Sequence, residues 1–138
     1  MTSRFSADVQ EIVGPTLAER GFVLDEVDDR PDEGGRERHV AYYRSNDCKV
    51  QIYESSRDGE VNAMIAPRSV LNEFGPQANK WQYFGRFSKR PDVPLEELVL
   101  LTRAEYEAYG TPLVWVRDRI INNYDSAHTG IIEMYGMS

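Results

Sequence analysis

Small or branched apolar residues recur at every second position in the middle of this chain, and no other feature limits its fold as much. The alternation runs from residue 48 to 53 and again from residue 61 to 65. Its apolar positions are Cys48, Val50, Ile52, Val61, Ala63 and Ile65. A period of two places these side chains on one face of a strand, toward a core. Asp58-Gly59 favours a tight turn, and residues 55–59 also allow a longer one, so the two segments are predicted to pair as an antiparallel hairpin.

Further strands are predicted on both sides of this hairpin. Residues 22–27 and 38–44 contain β-branched and aromatic residues and are bounded by turn-forming residues. Pro67 ends the fourth strand because proline cannot donate to the hydrogen-bond ladder. Residues 69–74 are predicted as a short helix, and residues 81–87 as a strand added to the sheet. The result is an antiparallel meander of four to five strands.

The N-terminal residues have helical spacing. Apolar residues recur there at Val9, Ile12, Val13 and Leu17. Ser6 is predicted as the N-cap, since its hydroxyl can accept from a free backbone N–H. Gly14-Pro15 is predicted to interrupt the helix, because proline removes a donor and clashes with the preceding turn. Gly21 is expected to follow the helix end.

Two start signals predict helices in the last third of the chain. Pro94 begins a segment with Leu95, Leu98, Val99 and Thr102 on one face. Thr111-Pro112 is an N-cap followed by proline at the first helical position. Asp125-Ser126 is predicted to begin a separate short helix. Together with the meander, this order predicts an α+β fold with an N-terminal helix and with C-terminal helices packed on one face of the sheet.

Length and charge narrow the class of protein. The chain has 138 residues and a net charge of −7, and a single domain over residues 1–138 is predicted. Such acidity argues against a general nucleic-acid binder, which needs basic groups to neutralise phosphates. A single cysteine, no apolar leader and no run of about 20 apolar residues predict a cytoplasmic protein without a membrane partner.

Histidine and cysteine, which carry out much of enzyme chemistry, occur only twice and once in this chain. His39 and His128 stand in no catalytic or metal-binding motif, and His128 is predicted to lie in a turn. Cys48 follows Asp47, whose charge would raise the pKa of the thiol, so Cys48 is predicted as a small buried residue. No catalytic residue, metal site or cofactor is predicted, and the sequence favours a non-catalytic protein.

An acidic segment extends from the first predicted strand into the loop that follows. Six of the nine residues from 25 to 33 are acidic, namely Asp25, Glu26, Asp28, Asp29, Asp32 and Glu33. Such a run could hold Ca²⁺ or Mg²⁺ loosely, but a solvated loop is the commoner outcome. These six residues are predicted to bind a basic protein partner.

Residues 80–90 combine four cations with four aromatic rings. In a single-strand nucleic-acid binder, such rings stack on bases while cations hold phosphates. The acidic balance favours instead a strand that buries Trp81, Tyr83 or Phe87. Because Trp, Tyr and Arg are common interface anchors, Trp81, Tyr83 and Arg86 are also predicted to contact a protein partner.

Tyrosines mark a third candidate surface. Tyr53 alternates with the apolar positions of its strand, so it is predicted to lie on the outer face of the sheet and to bind a partner. The other members of that face are Lys49, Gln51 and either Tyr42 or Tyr43. The alternative is a sheet face that tyrosine rings merely shield from water.

The pattern Gly14-Pro15-x-Leu17-x-x-x-Gly21-Phe22, followed by a strand meander, resembles small bacterial immunity-type proteins and uncharacterised cytoplasmic or phage proteins. The resemblance covers the first half of the chain. It implies a toxin-neutralising or phage-related protein partner and assigns no residue a role.

Three hypotheses of function remain. The favoured one is a non-catalytic acidic module, an inhibitor or immunity protein that neutralises a basic partner, because complementary charge speeds association. The second is a small α+β enzyme or ligand-binding domain that uses carboxylates and tyrosines. The third is a homo-oligomeric assembly or phage accessory component, joined through a sheet edge or the C-terminal helices.

Overall fold

An antiparallel sheet with helices on one face forms the body of the protein. The computed structural model describes residues 4–29, 38–55, 60–74, 80–87, 94–108 and 111–135. The helices are α1 (Arg4–Ile12), α2 (Gly14–Ala18), α3 (Leu95–Ala108) and α4 (Pro112–Tyr135). The strands are β1 (Val23–Asp28), β2 (Arg38–Arg44), β3 (Cys48–Ser55), β4 (Glu60–Pro67) and β5 (Gln82–Tyr83). The predicted α+β fold is confirmed.

The sheet is a meander of order β1-β2-β3-β4-β5, in which each strand pairs with the next one along the chain. Val50 of β3 lies opposite Ile65 of β4, and Ile52 lies opposite Ala63. This register puts the alternating apolar residues of both strands on the same face, as their period of two predicts. β5 has only two residues, and a 3-10 helix, Phe84–Phe87, stands where the rest of a fifth strand was predicted.

The main hydrophobic core lies between this face of the sheet and the helices α1, α2 and α4. Val9 and Leu17 from the N-terminal helices and Ile120 and Ile131 from α4 are fully buried in one cluster with Ile52 of β3. Burial of a side chain of this size contributes about 1.5–3 kcal/mol. These contacts explain why α4 is fixed on the sheet.

A second hydrophobic cluster covers the opposite face of the sheet. Its buried members are Val40, Tyr42, Tyr53, Met64, Ala66 and Trp81. Tyr53 and Gln51 point away from the helices, as predicted, but the exposure expected of that face is wrong, because both residues are 0% exposed. The irregular segment after β4 folds back over them. The Phe74 ring meets the Tyr53 ring at 5.4 Å, and Gln51 Nε2 donates to the Glu73 carbonyl oxygen at 2.7 Å.

The C-terminal helix differs from its prediction in one respect. α4 runs unbroken for 24 residues, so the separate helix predicted to begin at Asp125-Ser126 is wrong, and His128 lies within a helix and not in a turn. The start at Thr111-Pro112 is confirmed, and the Val114 backbone N–H donates to the Thr111 carbonyl oxygen at 3.1 Å.

Two glycines mark the limits of the second N-terminal helix: Gly14 is its first residue, and Gly21 follows its end. The predicted interruption is confirmed, since α2 begins at Gly14 after α1 has ended. Gly21 has a φ of 85°, in the left-handed region that favours glycine after a helix. The N-cap prediction is wrong, because Ser6 lies buried inside α1. The short helix predicted at residues 69–74 is also wrong, since those residues form a turn and irregular chain.

The hydroxyl of Tyr43 is expected to lower stability. Its oxygen is buried and has no hydrogen-bond partner among the described residues, and burial raises the pKa of Tyr43. Because an unsatisfied buried polar group costs about 1–3 kcal/mol, Tyr43→Phe should leave the free energy of unfolding unchanged or raise it. Urea denaturation provides the measurement.

The matched control is Tyr53→Phe, which removes a 3.0 Å contact with the Tyr83 hydroxyl and should lower the free energy of unfolding by about 1 kcal/mol. Equal losses in both variants would contradict the prediction.

Candidate functional site

The first two predicted acidic residues lie at the edge of the sheet and have partners within the chain. Asp25 Oδ1 is 3.2 Å from Arg44 Nε. The Asn72 amide donates to Asp25 Oδ2 at 3.2 Å and to Glu26 Oε1 at 3.0 Å. Asn72 belongs to the segment that covers the second cluster, so these contacts fix that segment to β1.

The next two acidic residues are paired in the same way. Asp28 is 8% exposed, and its Oδ2 lies 3.6 Å from Arg38 NH2. Asp29 Oδ1 lies 2.8 Å from His39 Nδ1. All four described carboxylates thus contact groups of the same chain: the three aspartates lie beside basic side chains, and Glu26 accepts from the neutral Asn72 amide. The remaining two predicted residues, Asp32 and Glu33, lie outside the described residues.

The basic aromatic segment is divided between core and surface. Trp81 is 3% exposed, and its Nε1 donates to the Leu71 carbonyl oxygen at 3.1 Å. Tyr83 is half-buried. Arg86 is exposed and donates to Gln82 Oε1 at 3.1 Å. Of the three predicted contact residues, only Arg86 has an exposed side chain. Trp81 is buried, as the alternative interpretation expects, but it precedes β5 and does not belong to a strand.

Helix α3 carries four of the nine exposed large apolar side chains in the described part of the chain, more than any other element. Leu95 is 70% exposed, Val99 57% and Leu100 67%. None of the α3 side chains that the structure describes is buried. The apolar face predicted from Leu95, Leu98 and Val99 therefore exists as a helix face but is not covered by the main core. Large exposed apolar patches of this kind mark interaction sites.

An open groove lies at the end of the sheet where α1 and α4 begin. It has a volume of about 400 Å³, and the side chains lining it include Arg4, Asp8, His39 and Glu54. The Phe5 ring stacks on the His39 ring at 6.0 Å. Because the groove carries both signs of charge, it favours neither an anion nor a cation.

A second group of ionisable side chains lies between the β2–β3 turn and α4. His128 Nε2 is 2.7 Å from Asp47 Oδ2. The thiol of Cys48, the first residue of β3, lies beside them, and one ligand atom from each residue falls within 4.8 Å of the others. We call these three residues the Asp47–Cys48–His128 cluster. Cys48 is fully buried, whereas the side chains of His128 and Asp47 are 31% and 28% exposed.

The cluster perturbs the protonation of its members. The hydrogen bond with His128 lowers the pKa of Asp47. Burial raises the pKa of Cys48 to about 12, and the neighbouring Asp47 charge adds to the effect. Cys48 is thus a protonated thiol at neutral pH and a poor nucleophile. The donor set of sulfur, imidazole nitrogen and carboxylate oxygen is instead one that binds transition metals.

Sequence patterns predict no shared site for Cys48 and His128, although the fold brings the two residues together. They are 80 positions apart, and the predicted turn removed His128 from the sheet. One signal was present: the apolar spacing of Ile120, Ala127 and Ile131 continues through the supposed break. A continuous helix on that spacing places His128 beside the sheet face on which Cys48 lies.

No protein-family model, curated protein or solved structure matches this chain. Across the described ranges, no helix has both the length and the apolar content needed to cross a membrane.

Proposed function

We propose that this protein is a non-catalytic protein-binding module that presents helix α3 to its partner. The single observation that supports the proposal is the exposure of the apolar face of α3. Leu95 and Val99 stand one turn apart, and both are more than half exposed. Apolar anchors at such spacing are what an amphipathic helix places into the groove of another protein.

The charge of α3 defines the chemistry of the partner. The helix contains Glu96, Glu97, Glu105 and Glu107 but only one cation, Arg103. The whole chain, α3 included, has a net charge of −7. The partner we propose is a basic protein with an apolar groove rimmed by Lys or Arg. Complementary charge of this kind raises the association rate and excludes acidic competitors.

The proposed partner is a basic protein, as the sequence predicts, but the proposed contact surface is α3 and not the acidic segment or the aromatic residues. Tyr53 and Trp81 are buried, and the described residues of the acidic segment are paired within the chain, so α3 replaces them as the main contact. An inhibitor or immunity role, in which the basic partner is a toxin, is the finer form of the proposal. The cytoplasm is the compartment we propose, because a chain with one cysteine needs no oxidising environment.

The test compares two pairs of apolar-to-acidic substitutions. Leu95→Asp/Val99→Asp alters α3, and Leu71→Asp/Val23→Asp alters equally exposed positions elsewhere, where Leu71 is 76% and Val23 55% exposed. Affinity capture from the native host should give one basic protein with the unchanged chain and with the Leu71/Val23 variant. The dissociation constant of that purified protein should be at least about tenfold higher for the α3 variant, since anchor residues contribute more than about 1 kcal/mol each.

Circular dichroism spectra should be the same for all three chains, because no substituted side chain is buried. Loss of binding only in the Leu71/Val23 variant would move the contact surface away from α3. Capture of nothing but further copies of this chain would favour the homo-oligomeric assembly.

A further inference from the structure

We propose that Asp47, Cys48 and His128 form a binding site for a zinc ion. The site lies between the β2–β3 turn and α4, contains no residue of helix α3, and does not depend on the protein-binding proposal. Its basis is the convergence of three different ligand types, with one ligand atom from each within 4.8 Å of the others. Two of the ligands are adjacent in sequence, and the third is brought to them by the packing of α4 on the sheet.

The spacing of the three atoms is close to what zinc requires. Zinc bonds of about 2.0–2.3 Å in a tetrahedron place neighbouring ligand atoms about 3.3–3.8 Å apart. The 2.7 Å contact between Asp47 and His128 has to widen slightly, and the longest separation, at most 4.8 Å, has to shorten by about 1 Å. Rotation of the partly exposed His128 and Asp47 side chains can supply both changes.

The donor set selects among metals. Ca²⁺ and Mg²⁺ prefer oxygen ligands alone, whereas a thiolate with an imidazole and a carboxylate suits the borderline ion Zn²⁺. Three protein ligands leave a fourth tetrahedral position. Because Asp47 and His128 both reach solvent, that position is open to water, and the metal can enter from the same side.

The residues around the cluster hold its ligands in place. The Ser45 hydroxyl donates to Asp47 Oδ1 at 3.1 Å and accepts from the Cys48 backbone N–H at 3.2 Å. This leaves Asp47 Oδ2 directed toward His128. The Tyr124 ring stacks on the His128 ring, with 5.6 Å between ring centres. Outer contacts of this kind orient metal ligands and contribute to affinity.

Zinc binding would exchange a proton for the metal. The thiol of Cys48 loses its proton to solvent, and the thiolate sulfur bonds to the ion. The Asp47 charge, which disfavours a bare thiolate, is then offset by the divalent cation. The exchange needs no oxidant, reductant or second substrate.

The competing interpretation is a purely structural hydrogen bond between Asp47 and His128 that ties the β2–β3 turn to α4. The chain contains a matched pair for comparison. His39 Nδ1 lies 2.8 Å from Asp29 Oδ1, close to the 2.7 Å between His128 and Asp47, and this pair has no cysteine beside it. The side chains of His39 and Asp29 are likewise partly exposed, at 19% and 30%. His39→Ala is therefore the control for His128→Ala.

The experiment is a titration of the full chain, freed of metal with a chelator, with Co²⁺ as the spectroscopic probe and Zn²⁺ as its competitor. We expect one ion per chain, a near-ultraviolet sulfur-to-cobalt charge-transfer band, and loss of that band when Zn²⁺ is added. His128→Ala should weaken cobalt binding at least about 100-fold, beyond the effect of losing an outer contact. His39→Ala should leave binding unchanged.

Cys48→Ala should abolish the charge-transfer band. Since Cys48 is buried and its variant could fail to fold, a second measurement uses the unaltered chain: zinc should shift the NMR signals of the His128 ring and leave those of His39 in place. Absence of the cobalt–sulfur band in the unaltered chain, or equal loss of binding in His39→Ala, would overturn the proposal and leave the structural hydrogen bond.

Discussion

Trp81→Ala is expected to lower the free energy of unfolding by about 3–5 kcal/mol, the usual loss when a buried aromatic side chain is truncated. Trp81 is 3% exposed and belongs to the second hydrophobic cluster. Its ring centre lies 6.2 Å from that of Tyr42. The preceding residue, Lys80, has a φ of 63°, a conformation that a side-chain-bearing residue keeps only when its surroundings fix it.

Urea denaturation followed by far-ultraviolet circular dichroism measures this effect without relying on tryptophan emission. Trp81→Phe retains a ring but loses the hydrogen bond to the Leu71 carbonyl, so a smaller loss is expected. Leu71→Ala, in the same segment but at a side chain 76% exposed, should change stability by less than about 0.5 kcal/mol. A loss below about 1 kcal/mol for Trp81→Ala would mean that this ring contributes little to the cluster and is free to anchor a partner, as the basic aromatic segment predicts.

The burial of Trp81 on the second face of the sheet is a feature that the alternating pattern of the strands does not predict. Alternation predicted which residues of β3 and β4 face the helices, because a period of two and an antiparallel register determine that face. It could not show whether the opposite face was covered. The segment that covers this face is irregular, so its sequence shows no hydrophobic period. Its contacts, such as that of Phe74 with Tyr53, arise only from the tertiary fold.

The C-terminal helix shows a local preference overridden by packing. Asp125-Ser126 suggested a helix start, because short polar side chains compete for backbone hydrogen bonds and favour caps. In the fold, Ile120 and Ile131 are fully buried on either side of that pair. The gain from burying both on one sheet face exceeds the small cost of two weak helix formers.

The acidic segment shows the limit of reading charge from sequence. Its excess of carboxylates was evident, but their partners were not. Arg38 and His39 belong to β2, and Arg44 meets Asp25 only through the pairing of β1 with β2. A charge run predicts an exposed binding surface only when no neighbouring strand neutralises it, and the register of that strand was unknown from the sequence.

Gly130→Ala is expected to lower the free energy of unfolding by about 1–3 kcal/mol, the range for overpacking. In an exposed helix the same change would raise it by about 1 kcal/mol, since alanine is the better helix former. Here a Cβ atom on Gly130 would overlap Phe87 Cδ1 and lie 2.5 Å from Phe87 Cε1. The Phe87 ring belongs to the 3-10 helix that packs on α4, so it has to shift away from the core to make room.

A double-mutant cycle with Phe87→Ala tests the cause of this loss. Phe87→Ala alone should destabilise the fold, because Phe87 packs against the main core. In that background the obstructing ring is gone, so adding Gly130→Ala should raise the free energy of unfolding by up to about 1 kcal/mol. The effect of one substitution would thus change sign with the other, which measures a direct contact between the two sites. Destabilisation of similar size in both backgrounds would mean that Gly130 is needed for a reason other than the approach of Phe87.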